Sequence, residues 1–345
     1  MSISWQNKIS IIYSIKAILV DSKLFNYRKN MQNSRRDFLK NISLSALAMG
    51  IGSGDLLAIN EVEHSSKLFF EISLAEWSLH KAIFGGKLSN LDFPKYAKTE
   101  FGLEIVEYVN QFFPDKAKDK KYLKELLTRS QDAGVRNHLI MIDNEGELGE
   151  VDAKKRLKNV ENHYKWVEAA QLLGCKTIRV NSRGEGSPEE VAKRCVESLR
   201  KLSEFGQQHN INIIVENHGG YSANGAWLSS IMKNVGLKNC GTLPDFGNFC
   251  LKWSGEEWHS QCKEQYDPYK GTAEMMPYAK GVSAKTFNFD AKGNEIDIDY
   301  VKMMKIIKTS GFKGIIGIEY EGDKIGEIEG IKKTIALLKK ATAQV

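Results

Sequence analysis

The feature that most constrains this chain is a rhythm. Eight short apolar runs rich in Ile, Val and Phe, at 68–77, 103–110, 135–143, 176–182, 212–218, 241–248, 279–287 and 314–321, alternate with longer amphipathic segments. Their ends fall 33, 33, 39, 36, 30, 39 and 34 residues apart, close to the roughly 30 residues that a strand, a crossover helix and two loops require. Eight such units predict an α/β fold, an eight-stranded parallel (β/α) barrel occupying residues 67–345. A doubly wound open sheet competes, but it gives no reason for eight units, and no Gly-x-Gly-x-x-Gly loop follows the first run.

The punctuation between runs agrees. Gly102, Gly134, Gly174 and Gly311 stand where helices should stop before the next strand. Ser187-Pro188-Glu189-Glu190 reads as a capping serine, a proline at the first helical position and a capping-box glutamate.

Ahead of the barrel, residues 1–66 read as a poorly structured leader. Ser34-Arg35-Arg36-Asp37-Phe38-Leu39-Lys40, followed by a Ser/Ala/Gly-rich apolar run to residue 54, resembles a twin-arginine export signal. This predicts the twin-arginine machinery as a partner and a periplasmic destination, with Met31 as the natural start. The apolar run is too short to span a bilayer. Residues 1–66 carry eight Lys/Arg against five Asp/Glu and the remainder 41 against 38, so no basic surface is left to argue for nucleic acid. Five cysteines, none in a CxxC pair, read as structural thiols.

In a barrel the C-terminal strand ends share one mouth, so polar residues there are site candidates. They are Glu76 and Trp77, Glu107 and Asn110, His138 and Asp143, Asn181 and Arg183, Glu216 and His218, Asp245 and Asn248, Ser283 and Lys285, Glu319 and Glu321. Glu216, Asp245 and Glu319 converging in a small mouth would repel one another unless a cation compensates. A divalent metal (Mn, Mg, Co or Zn) is one solution. Lys285, Arg183 and His218 are the metal-free alternative.

Val215-Glu216-Asn217-His218-Gly219-Gly220, Leu243-Pro244-Asp245-Phe246-Gly247-Asn248 and Gly317-Ile318-Glu319-Tyr320-Glu321-Gly322 resemble the fifth, sixth and eighth strand signatures of the xylose isomerase-like barrels, the sugar (phosphate) isomerase/epimerase family. The resemblance implies that Glu216, Asp245 and Glu319 are metal ligands, with the two glutamates also placed for proton transfer on either side of the substrate. Glu107 matches an acidic position common there, and His218 matches the histidine after the fifth-strand glutamate. The chain departs from the pattern twice: Ser283-Ala284-Lys285-Thr286 replaces His-x-Lys-Asp, and Asn248 replaces a histidine. A nitrogen-rich metal site is therefore not expected, and the metal site is either oxygen-dominated and weaker or completed by His218.

Isomerising or epimerising a sugar requires a base beside a carbon next to a carbonyl, and positive charge to hold the enediolate oxygens. Glu216, Glu319, Lys285 and His218 are the expected catalytic groups. Glu107, Asn181, Arg183, Asn248 and Trp253 are expected to bind a non-phosphorylated or keto sugar. The long loop at 251–278, with Trp253, Trp258, His259, Tyr266 and Tyr269, is a candidate lid or stacking surface. Three other readings start from the same fold: a lyase on a keto-sugar, an exported sugar binder without catalysis, and an apurinic endonuclease. The last is disfavoured by the balanced charge and the absent histidines.

Overall fold

In this computed structural model the described residues are 68–255 and 261–345. The leader at 1–66, with its arginine pair, lies outside them, as do Trp258 and His259. Among the described residues no helix is long and apolar enough to cross a membrane.

Each of the eight runs coincides with a parallel strand, the sixth starting one residue early: β1 (Glu71–Ala75), β2 (Ile105–Val109), β3 (Arg136–Met141), β4 (Thr177–Val180), β5 (Asn212–Glu216), β6 (Cys240–Leu243), β9 (Val282–Thr286) and β10 (Ile315–Tyr320). They are ordered β6-β5-β4-β3-β2-β1-β10-β9. The remaining seam, between β6 and β9, is crossed by isolated bridges at Thr242–Ala279 and Asp245–Ser283, giving a nearly closed barrel. Helices follow the strands, as βα repetition requires. The strands are shorter than the apolar runs because the chain leaves the ladder early: Glu76–Leu79 and Asn110–Phe112 turn into short 3-10 helices, and Pro244 follows the last residue of β6 directly.

Alternation along each strand sorts side chains between two cores. Ala75, Val109, Leu139, Met141, Ile214 and Leu243 form the small cluster inside the barrel. Their strand neighbours, such as Leu74, Tyr108, Ile140 and Ile213, join the larger layer under the helices with Trp166 and Phe93. The capping box at Ser187 and Glu190 is formed, and Gly102, Gly134, Gly174 and Gly311 all adopt positive φ, the conformation glycine takes most easily at a helix end.

Two sequence expectations are corrected. The five cysteines are not all thiols: Cys250 and Cys262 form a disulfide, while Cys175, Cys195 and Cys240 are free and buried. Nor is 251–278 an unstructured loop. It takes in an antiparallel hairpin, β7 (Cys250–Trp253) with β8 (Cys262–Gln265), which the disulfide links, and then the helix Pro268–Met275. The twelve-residue separation of the two cysteines carries no motif; only the hairpin pairing brings them together.

Candidate active site

The inward parity that places Val109, Ile214 and Leu243 in the barrel also selects the charged residues of its interior, most of them one step nearer the mouth and Glu107 one step below it. Glu107 shares a face with Val109, Arg179 with Thr177, Glu216 with Ile214, Asp245 with Leu243, Lys285 with Ser283, and Glu319 with Gly317. All six charged side chains are buried. Burying a charge is costly unless it is paired, and the pairing organises the site.

One ligand oxygen each of Glu216, Asp245 and Glu319 lie within 4.8 Å of one another. Two cations flank this triad. Lys285 Nζ lies 3.7 Å from Asp245, 3.4 Å from Glu319 and 3.3 Å from Glu321. Arg179 Nε lies 2.8 Å from Glu216 Oε2, and its Nη1 donates to Asp143 Oδ1 at 2.8 Å. The lesser contacts fix the carboxylates' orientation: Asn248 donates to Glu216 Oε1, Ser283 to Glu319 Oε2, and the Gly247 amide to Asp245 Oδ1. Asn217 clamps the strand ends, accepting from the Asp245 amide and donating to its carbonyl.

Electrostatics follow from this layout. Burial, reinforced by the neighbouring acids, pushes Glu216 up to about 8 and Asp245 up to about 7, with Arg179 and Lys285 opposing. Burial also pushes Glu107 up to about 7, against a hydrogen bond from Ser73. Burial would lower Lys285, but Asp245, Glu319 and Glu321 hold its ammonium well above the usual lysine range. Burial acts to raise Asp143 as well; the Arg179 charge and the hydrogen bonds from Arg179 and Asn181 outweigh it and hold the carboxylate ionised.

The triad fits a divalent cation. Glu216 Oε2 and Asp245 Oδ2 are buried without a hydrogen-bond partner, although each has a cationic neighbour. Buried acceptors left in this state require a partner. The donors are all oxygen, which suits a hard ion such as Mg or Mn better than Zn. Ser283 and Asn248, at the positions where the family pattern carries histidines, hydrogen-bond two of the triad's carboxylates instead.

Above the acids is a cavity of about 260 Å³ lined by Trp77, Met141, Asp143, Arg179, Arg183, His218, Glu319 and Glu321, among others. Trp77 forms an aromatic wall and makes stacked contacts with the His80 ring at 5.0 Å and the Phe112 ring at 5.8 Å. His218 Nδ1 accepts from the Arg183 guanidinium, and because arginine has no acceptor the imidazole proton sits on Nε2. Burial, then the charges of Arg179, Arg183 and Lys285, depress the His218 pKa well below the ordinary value. His218 is therefore a neutral hydrogen-bond donor.

Among the other expected substrate-binding residues, Arg183 lines the cavity. Glu107 lies beneath it, where Gly317 makes room: a Cβ at that position would come within 2.8 Å of Glu107 Oε2. Asn181 stands behind Asp143 and donates to it. Asn248 is taken up by Glu216. Trp253 sits half-buried on β7 and is not among the residues lining the mouth cavity. His138 belongs to the opposite end of the barrel, near Arg136 and Glu71, and burial brings its pKa down to about 4. Arg179 was missed among the strand-end residues because it precedes the strand end. Its signal was an inward-parity charge inside the apolar run Thr177-Ile178-Arg179-Val180.

No curated protein matches the chain by sequence. Solved structures share the fold. The chain resembles a 3-keto-D-glucoside 4-epimerase from E. coli at 13% identity and TM-score 0.59, covering 79% of this chain and 99% of that one. It resembles a sugar phosphate isomerase/epimerase from Parabacteroides distasonis at 16% identity and TM-score 0.58, covering 81% and 97%. A third likeness is to a xylose isomerase-like TIM barrel protein from Mycobacterium smegmatis in complex with magnesium, at 14% identity and TM-score 0.57, covering 81% and 99%. The profile of one family matches residues 96–341. The chain is a member of the xylose isomerase-like TIM barrel family.

Proposed function

We propose that the protein is a sugar epimerase or isomerase that moves a proton at a carbon next to a carbonyl, acting on a non-phosphorylated keto sugar. The observation that carries this reading is the pair Glu216 and Glu319, buried in one triad yet each facing its own cation, Arg179 at 2.8 Å and Lys285 at 3.4 Å. They stand on β5 and β10, three strands apart across the seam, and so address a ring from different sides. One carboxylate removes the proton and the other returns one to the opposite face, which inverts the carbon. The Lys285 ammonium and the His218 and Arg183 N–H groups are donors for the oxygen on which charge develops. Trp77, which lines the cavity, offers apolar surface to the sugar.

Glu216, Asp245 and Glu319 would hold a divalent ion, which when bound supplies a Lewis acid for the substrate oxygens. The magnesium in the Mycobacterium smegmatis protein supports the presence of a hard ion in this fold. The Cys250–Cys262 disulfide supports the export reading, because such bonds persist in oxidising compartments.

The test is solvent exchange. Keto sugars, including 3-keto-glucosides, are incubated with the protein and Mg or Mn in deuterated water. Label should appear at the carbon beside the carbonyl, and Glu319→Gln should abolish it. A sugar that binds tightly without any exchange would identify a binding protein instead.

A further inference from the structure

The mouth cavity is not the only concavity bounded by Arg183 and His218. The same two side chains form a wall of a neighbouring cavity of about 410 Å³ over the β4 and β5 loops, also lined by Glu147, Ser182, Tyr221 and Leu251. Taken alone, the 260 Å³ mouth is smaller than the roughly 300–1,000 Å³ typical of ligand pockets, whereas the two cavities together fall within that range.

Three features mark the second cavity as built. Ser182 is 3% exposed and its Oγ has no hydrogen-bond partner, a condition that calls for a ligand or water group. Tyr221 is 39% exposed although its hydroxyl donates to the Gly186 carbonyl at 2.9 Å and its ring packs on Trp227, so an aromatic surface is fixed in place rather than tucked away. Its floor is the Gly219-Gly220 pair, both at positive φ, and a Cβ at Gly220 would meet nothing within 4 Å. The pair thus keeps side chains out of the cavity. A fixed aromatic ring, a buried hydroxyl, an acid and a guanidinium suit a neutral, hydroxylated ring.

We infer that the substrate is a glycoside of at least two sugar units, with the keto ring over Glu216 and Glu319 and a second ring seated on Tyr221 and Ser182. This inference rests on the proposed function for the placement of the reacting ring. Arg183 and His218, shared by both cavities, lie at the position of the linkage.

The test compares 3-ketocellobiose with methyl 3-keto-β-glucoside, which differ only in the second ring. The disaccharide should have a kcat/KM for solvent exchange about ten-fold higher. Tyr221→Ala should bring that ratio to within about two-fold of unity, and Tyr221→Phe, which keeps the ring, should preserve it. A ratio near one in the parent, or one that Tyr221→Ala leaves unchanged, overturns the second-ring site while leaving the proposed function standing. If neither compound exchanges, the proposed function fails, and calorimetric affinities decide the site. Ten-fold tighter disaccharide binding that is lost in Tyr221→Ala upholds it; equal affinities, or no binding of either, overturn it.

Discussion

Replacing Lys285 with methionine tests whether the acid cluster is held together by that ammonium. The side chain is 1% exposed, with Nζ 3.3–3.7 Å from three carboxylates, and methionine fills a similar volume without the charge. Breaking a buried ion pair by removing one partner costs about 3–5 kcal/mol, because the remaining charge is stranded. At roughly 2–4 °C per kcal/mol for a large domain, Tm should fall by about 6–20 °C in chelator-treated protein. The stranded acids should also bind a dication more tightly. An ion at 100 times its dissociation constant adds about 2.7 kcal/mol, so magnesium should recover more of the Tm in the variant than it adds to the parent. Differential scanning calorimetry with and without magnesium reads both effects, and Lys201→Met, on an exposed helical position, serves as the control, expected within about 0.5 kcal/mol of the parent. A fall below about 2 °C, or the same magnesium increment in both proteins, would refute the reasoning.

Three further outcomes are expected. Burial pushes Glu76 up to about 8 from an ordinary 4.5, against hydrogen bonds from Val109 and Asn90. The folded chain then keeps a proton that the unfolded chain releases, so this contribution is complete below about pH 4.5 and is lost as pH rises through about 8, at up to about 1.4 kcal/mol per unit; Glu76→Gln should flatten the fall in melting temperature between about pH 5 and pH 8, and an unchanged slope would count against it. Trp77→Ala should raise KM about three- to ten-fold with kcat within about two-fold, the signature of a lost ground-state contact with the cavity wall; a kcat loss of comparable size would place Trp77 elsewhere in the mechanism. Alkylation of the denatured, unreduced protein should modify three of the five cysteines and, after reduction, all five; five without reductant would eliminate the disulfide.

The strand rhythm is legible because each βα unit must place an apolar run on the barrel wall, and the wall tolerates little else. For the same reason Glu216, Asp245, Lys285 and Glu319 stand out: a charge at an inward position near a strand's end has nowhere else to go. Arg179 obeys the same parity, but it lies one residue inside β4, where an isolated cation looks like a break in the run. Its meaning depends on Asp143 and Glu216, 36 and 37 residues away in sequence. Asn248 and Ser283 are visible as departures from a histidine pattern, whereas the hydrogen bonds they make to Glu216 and Glu319 follow from strand register. The hairpin was hidden because β7 and β8 are four residues each and flank a stretch of mixed polarity.

The seam between β6 and β9 has a further consequence. Elsewhere neighbouring strands are paired in ladders, but this junction is joined by two isolated bridges, and one of them is Asp245–Ser283 itself. The wall is thinnest where an acid of the triad faces the strand that carries Lys285. In native-state hydrogen exchange the Phe246 and Ser283 amides, which cross this gap, should open before the amides of β1 and β2. Slow breathing of the barrel would then reach the acid cluster first, and a cation bridging Glu216, Asp245 and Glu319 would act as a clasp across the seam.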